Sequence, residues 1–192
     1  VLAEIAPKTF ENGPALWRAA LRRPLPGDHK YSRGHAVIAG GATMTGAARL
    51  AARAALRIGA GMVSVVCPPG AVPIYAADTA AILVVAADDP TGLADYLANA
   101  RRDAALIGPG AGLGEATRQM VLAASRTAKP LVLDADGLSV FAQDPAALFA
   151  AIAGVEVLMT PHEGEFSRLF EAAGDKLARA RAAAAVSGAT VL

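Results

Sequence analysis

The sequence predicts an α/β fold in which a mostly parallel sheet lies between two layers of helices. Short apolar runs alternate along the chain with segments of helical spacing, which is typical of a parallel sheet with helices on both faces. In addition, 54% of the 192 residues are hydrophobic and only 18% are charged, as expected when strands are buried on both sides. A chain of this length can form one domain around a sizeable core.

Seven apolar runs, most of them rich in branched side chains, are predicted to be the strands. They are residues 35–39, 62–67, 81–86, 104–107, 131–134, 155–159 and 189–192. Because no helical segment follows the last run, we expect the α/β domain to be incomplete at its C-terminus.

Five helices are predicted between or after these strands. The first, Gly46 to Ile58, carries apolar residues at spacings of three and four and is expected to end at Gly59. The second is expected to start after the sequence Asp89-Pro90-Thr91, with the proline in its first turn. The other three are predicted at 115–127, from 163 onward and at 175–186.

Residues 1–34 are predicted to be an arm or linker ahead of a domain at 35–192. The segment contains four prolines and shows no long helical or strand period. It also holds the densest basic stretch of the chain, which is interpreted as a solvated face rather than a binding patch.

Composition argues against several classes of protein. The formal net charge is +1 and no basic stripe is interleaved with aromatic residues, so nucleic acid is not an expected partner. The longest apolar runs, such as 80–87, are too short to span a membrane, and no signal peptide is visible, so a cytoplasmic location is expected. The single Cys67 excludes an internal disulfide and a cysteine metal cluster, and no metal site is predicted.

The glycine-rich stretch 40–48 raises the first functional question. It has the outline of a phosphate loop, but Ala47 and Ala48 stand where a nucleoside-triphosphate loop has Lys and Ser or Thr. The helix that starts near Gly46 would still direct free N–H groups toward an anion. An ordinary strand-to-helix turn is an equally good interpretation of the local spacing.

The stretch 106–115 follows a buried strand and contains four alternating glycines. This pattern favours a ligand that lies flat against the backbone, and a floppy surface loop is the alternative. The glycines are Gly108, Gly110, Gly112 and Gly114.

Two acidic residues and a histidine follow later strands. Asp134 ends an apolar run, so its charge needs a partner, and it is a candidate for a magnesium, phosphate-network or base role. Asp136 is interpreted as a helix cap. His162, or Thr160, could cap the helix that starts near Glu163, and a satisfied loop histidine is the alternative for His162. The general acid–base candidates are therefore His162, Asp134 and Glu163.

Taken together, these stretches resemble the NAD(P)H-hydrate dehydratases, ribokinase-like proteins long labelled carbohydrate kinases of the YjeF type. The resemblance covers residues 29–192 and implies a ribokinase-like three-layer fold. It depends on four motifs that occur in the order and spacing of that family: HKYSRGHAVIAGG with TGAARLAARAALRIGAGMVSV, then IGPGAGLG, then LDADGL, and then TPHEGEFSRL.

The resemblance implies a repair reaction on hydrated NADH and NADPH. ADP or ATP, with Mg²⁺, would phosphorylate the hydroxyl that water has added to the nicotinamide ring, and loss of phosphate would restore the cofactor. The implied substrate-binding residues are Ala47, Gly110 and His162. The remaining residues of the implied site wall are Gly46, Gly108, Asp134 and Glu163.

The resemblance also implies that part of the site lies outside this sequence. In the family, the nucleotide site and the catalytic Asp follow in a Lys-Gly turn after the last strand and in a Gly-Thr-Gly-Asp loop beyond it, and both would lie beyond Leu192. No catalytic residue is therefore predicted within residues 1–192, and the chain is expected to be inactive alone. The arm resembles the connector that follows a hydrate epimerase domain, so such a fusion is expected as well as a homo-oligomer.

Two other functions remain open from the sequence. A small-molecule kinase for a sugar or vitamin would share the ribokinase-like fold but would leave a lasting phosphorylated product. A non-catalytic nucleotide-binding module would bind NAD(P)H or ADP without turnover.

Overall fold

A seven-stranded sheet forms the centre of the protein, which is described by a computed structural model over residues 8–192. Every neighbouring pair of strands is parallel, and the strand order is β3-β2-β1-β4-β5-β6-β7. The strands are β1 (His35–Ala39), β2 (Met62–Cys67), β3 (Leu83–Ala86), β4 (Ala104–Ile107), β5 (Leu131–Leu133), β6 (Val157–Met159) and β7 (Thr190–Val191). The predicted parallel α/β sheet is therefore confirmed.

Nine α-helices and one short 3₁₀ turn, Pro69–Ala71, are found among the described residues. The helices are α1 (Pro14–Trp17), α2 (Gly46–Ile58), α3 (Val72–Ala76), α4 (Gly92–Leu97), α5 (Glu115–Ser125), α6 (Asp136–Ser139), α7 (Pro145–Ile152), α8 (Glu163–Leu169) and α9 (Lys176–Ser187). The five predicted helices correspond to α2, α4, α5, α8 and α9.

The helices cover both faces of the sheet, which gives the expected three layers. On one face, Ala48 and Ala52 of α2 and Tyr75 of α3 pack against apolar side chains of β1 and β2. On the other, Leu93 of α4 and Val121 of α5 join a larger cluster with side chains of β1, β4, β5 and β6. The alanines on α2 carry no side-chain atom beyond the Cβ methyl group, so this helix can lie close to the sheet.

Two helix boundaries differ from the sequence prediction for local reasons. Pro90 precedes α4 instead of lying in its first turn, because the Asp89 carboxylate accepts the N–H groups of Thr91 and Gly92 at 2.7 and 2.8 Å. Hydrogen bonds to Thr91 and Gly92 hold the pKa of Asp89 below its usual value. Helix α5 ends at Ser125, two residues earlier than predicted. The Ser125 hydroxyl donates to the Val121 carbonyl oxygen at 2.9 Å.

The strand order creates a switch point between β1 and β4. The chain builds β1, β2 and β3 in one direction and then returns to place β4 on the other side of β1. Loops after β1 and β4 consequently leave the sheet in opposite directions, which opens a crevice beyond their carboxyl ends. We call this side of the sheet, where the strands end, the carboxyl edge.

The described part of the arm, residues 8–34, lies outside the two core clusters, and residues 1–7 are outside the described residues. Arg181 of α9 donates to the Lys8 carbonyl oxygen and the Thr9 hydroxyl, both at 2.8 Å. Large apolar side chains of the arm remain exposed: Phe10, Leu16, Trp17, Leu21 and Leu25. The boundary at residue 34 stays a prediction. Within residues 8–192, none of the helices has both the length and the apolar character needed to cross a membrane.

Candidate functional site at the carboxyl edge

The residues that the resemblance placed at the substrate follow four adjacent strands. Ala47 comes after β1, Gly110 after β4, Asp134 after β5 and His162 after β6, and these strands are neighbours in that order. Three strand spacings of about 4.8 Å separate β1 from β6, so the row spans about 14 Å. The sheet therefore aligns the predicted site residues along one edge.

The glycine loops after β1 and β4 touch through their backbones. A Cβ atom on Gly41 would overlap the Gly110 carbonyl oxygen, and one on Gly110 would lie 2.7 Å from the Met44 carbonyl oxygen. Gly110 also has φ +71°, a conformation that favours glycine. The buried Tyr75 hydroxyl donates to the Gly41 carbonyl oxygen at 3.1 Å and so holds the loop after β1 in place. Only residues without side chains permit this contact.

Helix α2 begins at this contact with an open N-terminus. Its N-cap residue, Thr45, makes no side-chain capping bond within the described chain, and the first turn carries no acidic residue there. Gly46 and Ala47 are both exposed. The first N–H groups of a 13-residue helix thus face the crevice without a side-chain acceptor, an arrangement suited to an anion.

The glycine loop after β4 also packs against the loop after β5. A Cβ atom on Gly108 would overlap the Asp134 carbonyl oxygen, and Gly108 has φ +135°. The Asp136 carboxylate accepts the Gly112 N–H at 2.8 Å. Asp136 is therefore the first residue of α6 and a support for the neighbouring loop, and its interpretation as a helix cap was wrong. These contacts favour an ordered backbone platform over a floppy loop.

Asp134 has the partner that its position required. The Thr160 hydroxyl donates to its Oδ1 at 2.9 Å, and both residues are half-buried. A single neutral donor leaves acceptor capacity on the carboxylate. Asp134 can thus accept another hydrogen bond from a bound molecule.

His162 caps helix α8. Its Nδ1 accepts the N–H groups of Gly164 at 3.0 Å and Glu165 at 3.4 Å, while the Glu165 carboxylate accepts the His162 N–H at 2.9 Å. An accepting Nδ1 assigns the proton to Nε2, which lies 3.2 Å from Glu165 Oε1. The side chain of His162 is nevertheless 68% exposed. His162, rather than Thr160, is therefore the capping residue, and its ring is accessible.

A cleft between α8 and α9 lies beside this ring. Its volume is about 370 Å³, and His162, Glu163, Lys176 and Arg179 contribute to its lining. Glu163 pairs with Arg179, with Oε1 and Nη1 2.6 Å apart. Lys176 and Arg179 were not predicted as site residues, although they lie in the first turns of the helix after the predicted site.

A second cavity, of about 150 Å³, opens on the other side of the glycine contact. None of Ala47, Gly110 and His162 lines it. We call it the β3-side cavity, and its lining comes from the ends of β1, β2 and β3 and from the start of α5: Ala39, Gly40, Gly41, Ala42, Val66, Cys67, Pro68, Ala87, Asp88, Asp89, Pro90, Leu93, Ala111, Ala116, Thr117 and Met120. Only some of these residues belong to motifs that are visible in the sequence, and no cavity was predicted here.

Cys67 lies at the floor of this cavity. It is 2% exposed, and burial raises the pKa of its thiol. Cys67 packs as a small apolar residue among the side chains of the cluster on this face of the sheet. Among residues 8–192, no group of three or more His, Cys, Asp or Glu side chains is placed to hold a metal ion.

Comparison with known proteins identifies the family. Residues 35–192 match the family described as NAD(P)H-hydrate dehydratase. The whole chain aligns with the bifunctional NAD(P)H-hydrate repair enzyme Nnr of Synechocystis at 37% identity and covers 38% of that protein. The human ATP-dependent (S)-NAD(P)H-hydrate dehydratase is 33% identical over 86% of this chain, which covers 49% of the human protein. This chain thus spans half or less of the length of these curated relatives.

Solved structures agree with the fold. The Bacillus subtilis ADP/ATP-dependent NAD(P)H-hydrate dehydratase, co-crystallised with ATP and Mg²⁺, superposes with a TM-score of 0.63 at 26% identity, covering 82% of this chain and 54% of that one. A ribokinase-like superfamily protein of Enterococcus faecalis gives a TM-score of 0.72 at 23% identity, covering 89% and 60%, and supports the fold alone. On the match over residues 35–192, the chain belongs to the NAD(P)H-hydrate dehydratase family.

Proposed function

We propose that the protein acts in the repair of hydrated NADH and NADPH, as the substrate-binding part of an ADP- or ATP-dependent dehydratase. The terminal phosphoryl group of the donor moves to the oxygen of the hydroxyl on the nicotinamide ring, and the hydroxyl proton goes to a base. The carbon–oxygen bond then breaks, phosphate leaves, and the neighbouring ring carbon loses a proton to restore the double bond. Phosphorylation turns hydroxide, a poor leaving group, into a good one.

One observation carries this proposal: the backbone contact between Gly41 and Gly110. It provides an anion-binding platform that lacks the lysine of a triphosphate loop. Such a platform suits the diphosphate of a dinucleotide, since the open N-terminus of α2 supplies N–H groups and a positive dipole end.

The row of residues after β4, β5 and β6 would hold the reacting end of the substrate. Gly110 allows the substrate to approach the backbone closely, and Asp134 can accept a hydrogen bond from it. The exposed ring of His162 lies at the end of the row. Lys176 and Arg179 add positive charge in the adjoining cleft. Gly46, Gly108 and Glu163 would complete the wall of the site.

The donor side of the reaction is proposed to come from outside residues 1–192. The catalytic Asp, the nucleotide site and the Mg²⁺ that accompanies the nucleotide would belong there. The Synechocystis relative is named as bifunctional. We extend this to the present protein: residues 1–34 would connect an upstream hydrate epimerase domain, in a cytoplasmic homo-oligomer.

The test combines turnover and binding of the hydrate. The 192-residue chain and its longer natural form are each mixed with hydrated NADH and ADP or ATP. NADH absorbance and free phosphate are then followed together. We expect the longer form to release NADH and phosphate in equal amounts, and the 192-residue chain to bind the hydrate without turnover.

Other outcomes would contradict the proposal. A lasting phosphorylated product would identify a small-molecule kinase. Binding without turnover by the longer form would identify a non-catalytic module. Turnover by the 192-residue chain alone would show that the catalytic groups lie within it.

A further inference from the structure

We propose that the β3-side cavity holds the adenine ring of the dinucleotide substrate, with the exposed Asp88 carboxylate accepting the ring's amino group. This inference rests on the proposed function, because it assumes a substrate with two rings joined through a diphosphate. It assigns the ring that does not react to a cavity that was not predicted from the sequence.

The walls of the cavity favour a flat aromatic ring. Leu93 and Ala39 are buried, and Met120 contributes a thioether, a group that makes favourable contacts with aromatic rings. A cavity of about 150 Å³ can accommodate a benzene-sized ring, so one ring of a purine would lie inside and the other would extend toward the open rim. Ala42, Ala116 and Asp88 are exposed at the rim, so the polar edge of a purine could reach solvent there.

The charge of the lining disfavours the diphosphate of a dinucleotide. Among the described lining residues, Asp88 and Asp89 are acidic and none is Lys, Arg or His. Arg118 of α5 instead pairs with Asp144, with Nη2 and Oδ2 3.1 Å apart. Among the described lining residues, the only charged side chains are carboxylates, and these repel a phosphate group. The diphosphate would therefore lie at the edge of the cavity formed by the glycine contact, away from Asp88 and Asp89.

The hydrated nicotinamide ring fits this cavity poorly. That ring is not flat, because it contains saturated carbons, and it carries both a hydroxyl and a carboxamide that need partners. Apart from Asp88 at the rim, the polar side chains of the lining are already engaged: the Thr117 hydroxyl donates to the Ala111 carbonyl oxygen at 3.0 Å, and Asp89 accepts from Thr91 and Gly92. Unsatisfied polar groups are costly to bury.

The cavity and the region around His162 lie where the two ends of one extended molecule could bind. The cavity adjoins the ends of β1, β2 and β3, whereas Asp134 and His162 follow β5 and β6 on the other side of the switch point. The contact between Gly41 and Gly110 lies between these two regions. A dinucleotide lying along the carboxyl edge would place adenine in the cavity, diphosphate at the glycines and the reacting ring beside His162.

The Asp88 side chain lies at the rim and can accept a hydrogen bond from the amino group of the purine. Asp89 already accepts the N–H groups of Thr91 and Gly92 at the start of α4, while Asp88 is exposed and has no hydrogen bond among the described contacts. A carboxylate accepts from the amino group of adenine but repels the oxygen that replaces it in hypoxanthine. The cavity should therefore distinguish these two purines.

The same adenine is present in ADP and ATP, so the experiment must separate the two sources. Saturation-transfer NMR is recorded on the 192-residue chain with NADH, with reduced nicotinamide mononucleotide, with the hypoxanthine analogue of NADH and with ADP. Methyl protons of the protein are irradiated. We expect the strongest transfer to the purine H2 and H8 protons of NADH, and affinity at least about tenfold lower for the mononucleotide.

Two variants, each with a matched control, locate the ring. Ala116→Leu would fill the mouth of the cavity and should abolish transfer to the purine protons, while Gln119→Leu, on the same helix but outside the lining, should not. Asp88→Asn should lower the preference for adenine over hypoxanthine by about threefold or more. Asp95→Asn, also an exposed aspartate, should leave that preference unchanged.

Several results would overturn the inference. Equal affinity for NADH and the mononucleotide would remove any role for adenine. Purine signals that survive in Ala116→Leu would place the ring elsewhere. Displacement of the NADH purine by ADP at lower concentration would assign the cavity to the phosphoryl donor. Any of these could occur while the longer form still turns over hydrate, so the proposed function is tested separately.

Discussion

Gly41 and Gly110 lie so close together that neither can carry a side chain without moving the other's loop. They follow neighbouring strands, β1 and β4, on either side of the point where the chain reverses its direction of winding. The two loops thus form one platform, fixed from below by the hydrogen bond from Tyr75 to Gly41. The substrate would rest on backbone atoms held by packing, rather than on long flexible side chains.

Replacing Gly41 with alanine should disrupt this platform. The new methyl group would overlap the Gly110 carbonyl oxygen, so one loop must move. We expect a loss of about 1–3 kcal/mol in the free energy of unfolding, as for other overpacked sites. Hydrate binding should fall by a larger factor than this loss explains. Urea unfolding and a direct binding titration would measure the two effects.

Gly70→Ala is the matched control for this substitution. Gly70 is exposed, and among the described residues no atom lies within 4 Å of the position of its Cβ atom. Its replacement should change stability by less than about 0.5 kcal/mol and leave hydrate binding intact. If Gly41→Ala behaved in the same way, the close contact would not be important for the site.

Tyr75→Phe tests the support below the platform. The hydroxyl is buried and donates to the Gly41 carbonyl oxygen, so its removal should cost about 1 kcal/mol of stability and loosen the loop. Burial also raises the pKa of Tyr75 to about 12. The unfolded chain would lose this proton near the ordinary pKa of 10.0, so stability should fall as the pH rises from about 10 to 12.

The measurement is urea unfolding of the wild type and Tyr75→Phe at pH 8, 10 and 11. The pH-dependent loss should be smaller in the variant, which has no phenol at this position. An identical loss in both proteins would mean that Tyr75 does not cause it.

The sheet could be predicted from the sequence because buried parallel strands appear there as short apolar runs rich in branched side chains. Helix α7 has no such signal: the segment Pro145–Ile152 is apolar all round, so no polar face marks its period. Helices α3 and α6 are each shorter than two turns, which is too short for a period to be recognised.

The candidate site could be predicted only in part, for a similar reason. Its glycines and His162 are visible as local motifs beside predicted strands. The β3-side cavity is assembled from residues far apart in the chain, such as Ala42, Asp88 and Met120, and none of them carries a local motif. The pairing of His35 with Ser64 likewise depends on the register between β1 and β2, which no local pattern specifies.

His162 has two separable roles, and substitution can divide them. His162→Ala removes both the cap of α8 and the imidazole, so it should cost about 1 kcal/mol of stability as well as hydrate binding. His162→Asn keeps a good capping side chain and removes only the ring. We expect it to unfold at nearly the wild-type temperature and to bind hydrate as weakly as His162→Ala.

Thermal unfolding and hydrate titration on the same samples provide both readouts. If His162→Asn restored binding together with stability, the histidine would serve only to hold the helix start in place. Its assignment to the substrate would then be wrong.

His35 should make the fold sensitive to acid. Its ring is 1% exposed, and Nε2 lies 2.7 Å from the Ser64 hydroxyl, which in turn lies 3.0 Å from the Tyr96 hydroxyl. Burial and then the charge of Arg102 lower the pKa of His35 below its ordinary 6.5, against the smaller opposing effect of Asp103. The unfolded chain therefore binds a proton at a higher pH than the folded one does.

The sign of the effect follows from this difference. The contribution of neutral His35 to stability is complete above pH 6.5 and is lost as the pH falls toward the lower pKa of the folded state. Urea unfolding between pH 5 and 8 should show this loss in the wild type and a smaller one in His35→Gln. The exposed His29→Gln is the control and should keep the wild-type dependence. An unchanged dependence in His35→Gln would mean that other groups control the acid sensitivity of the fold.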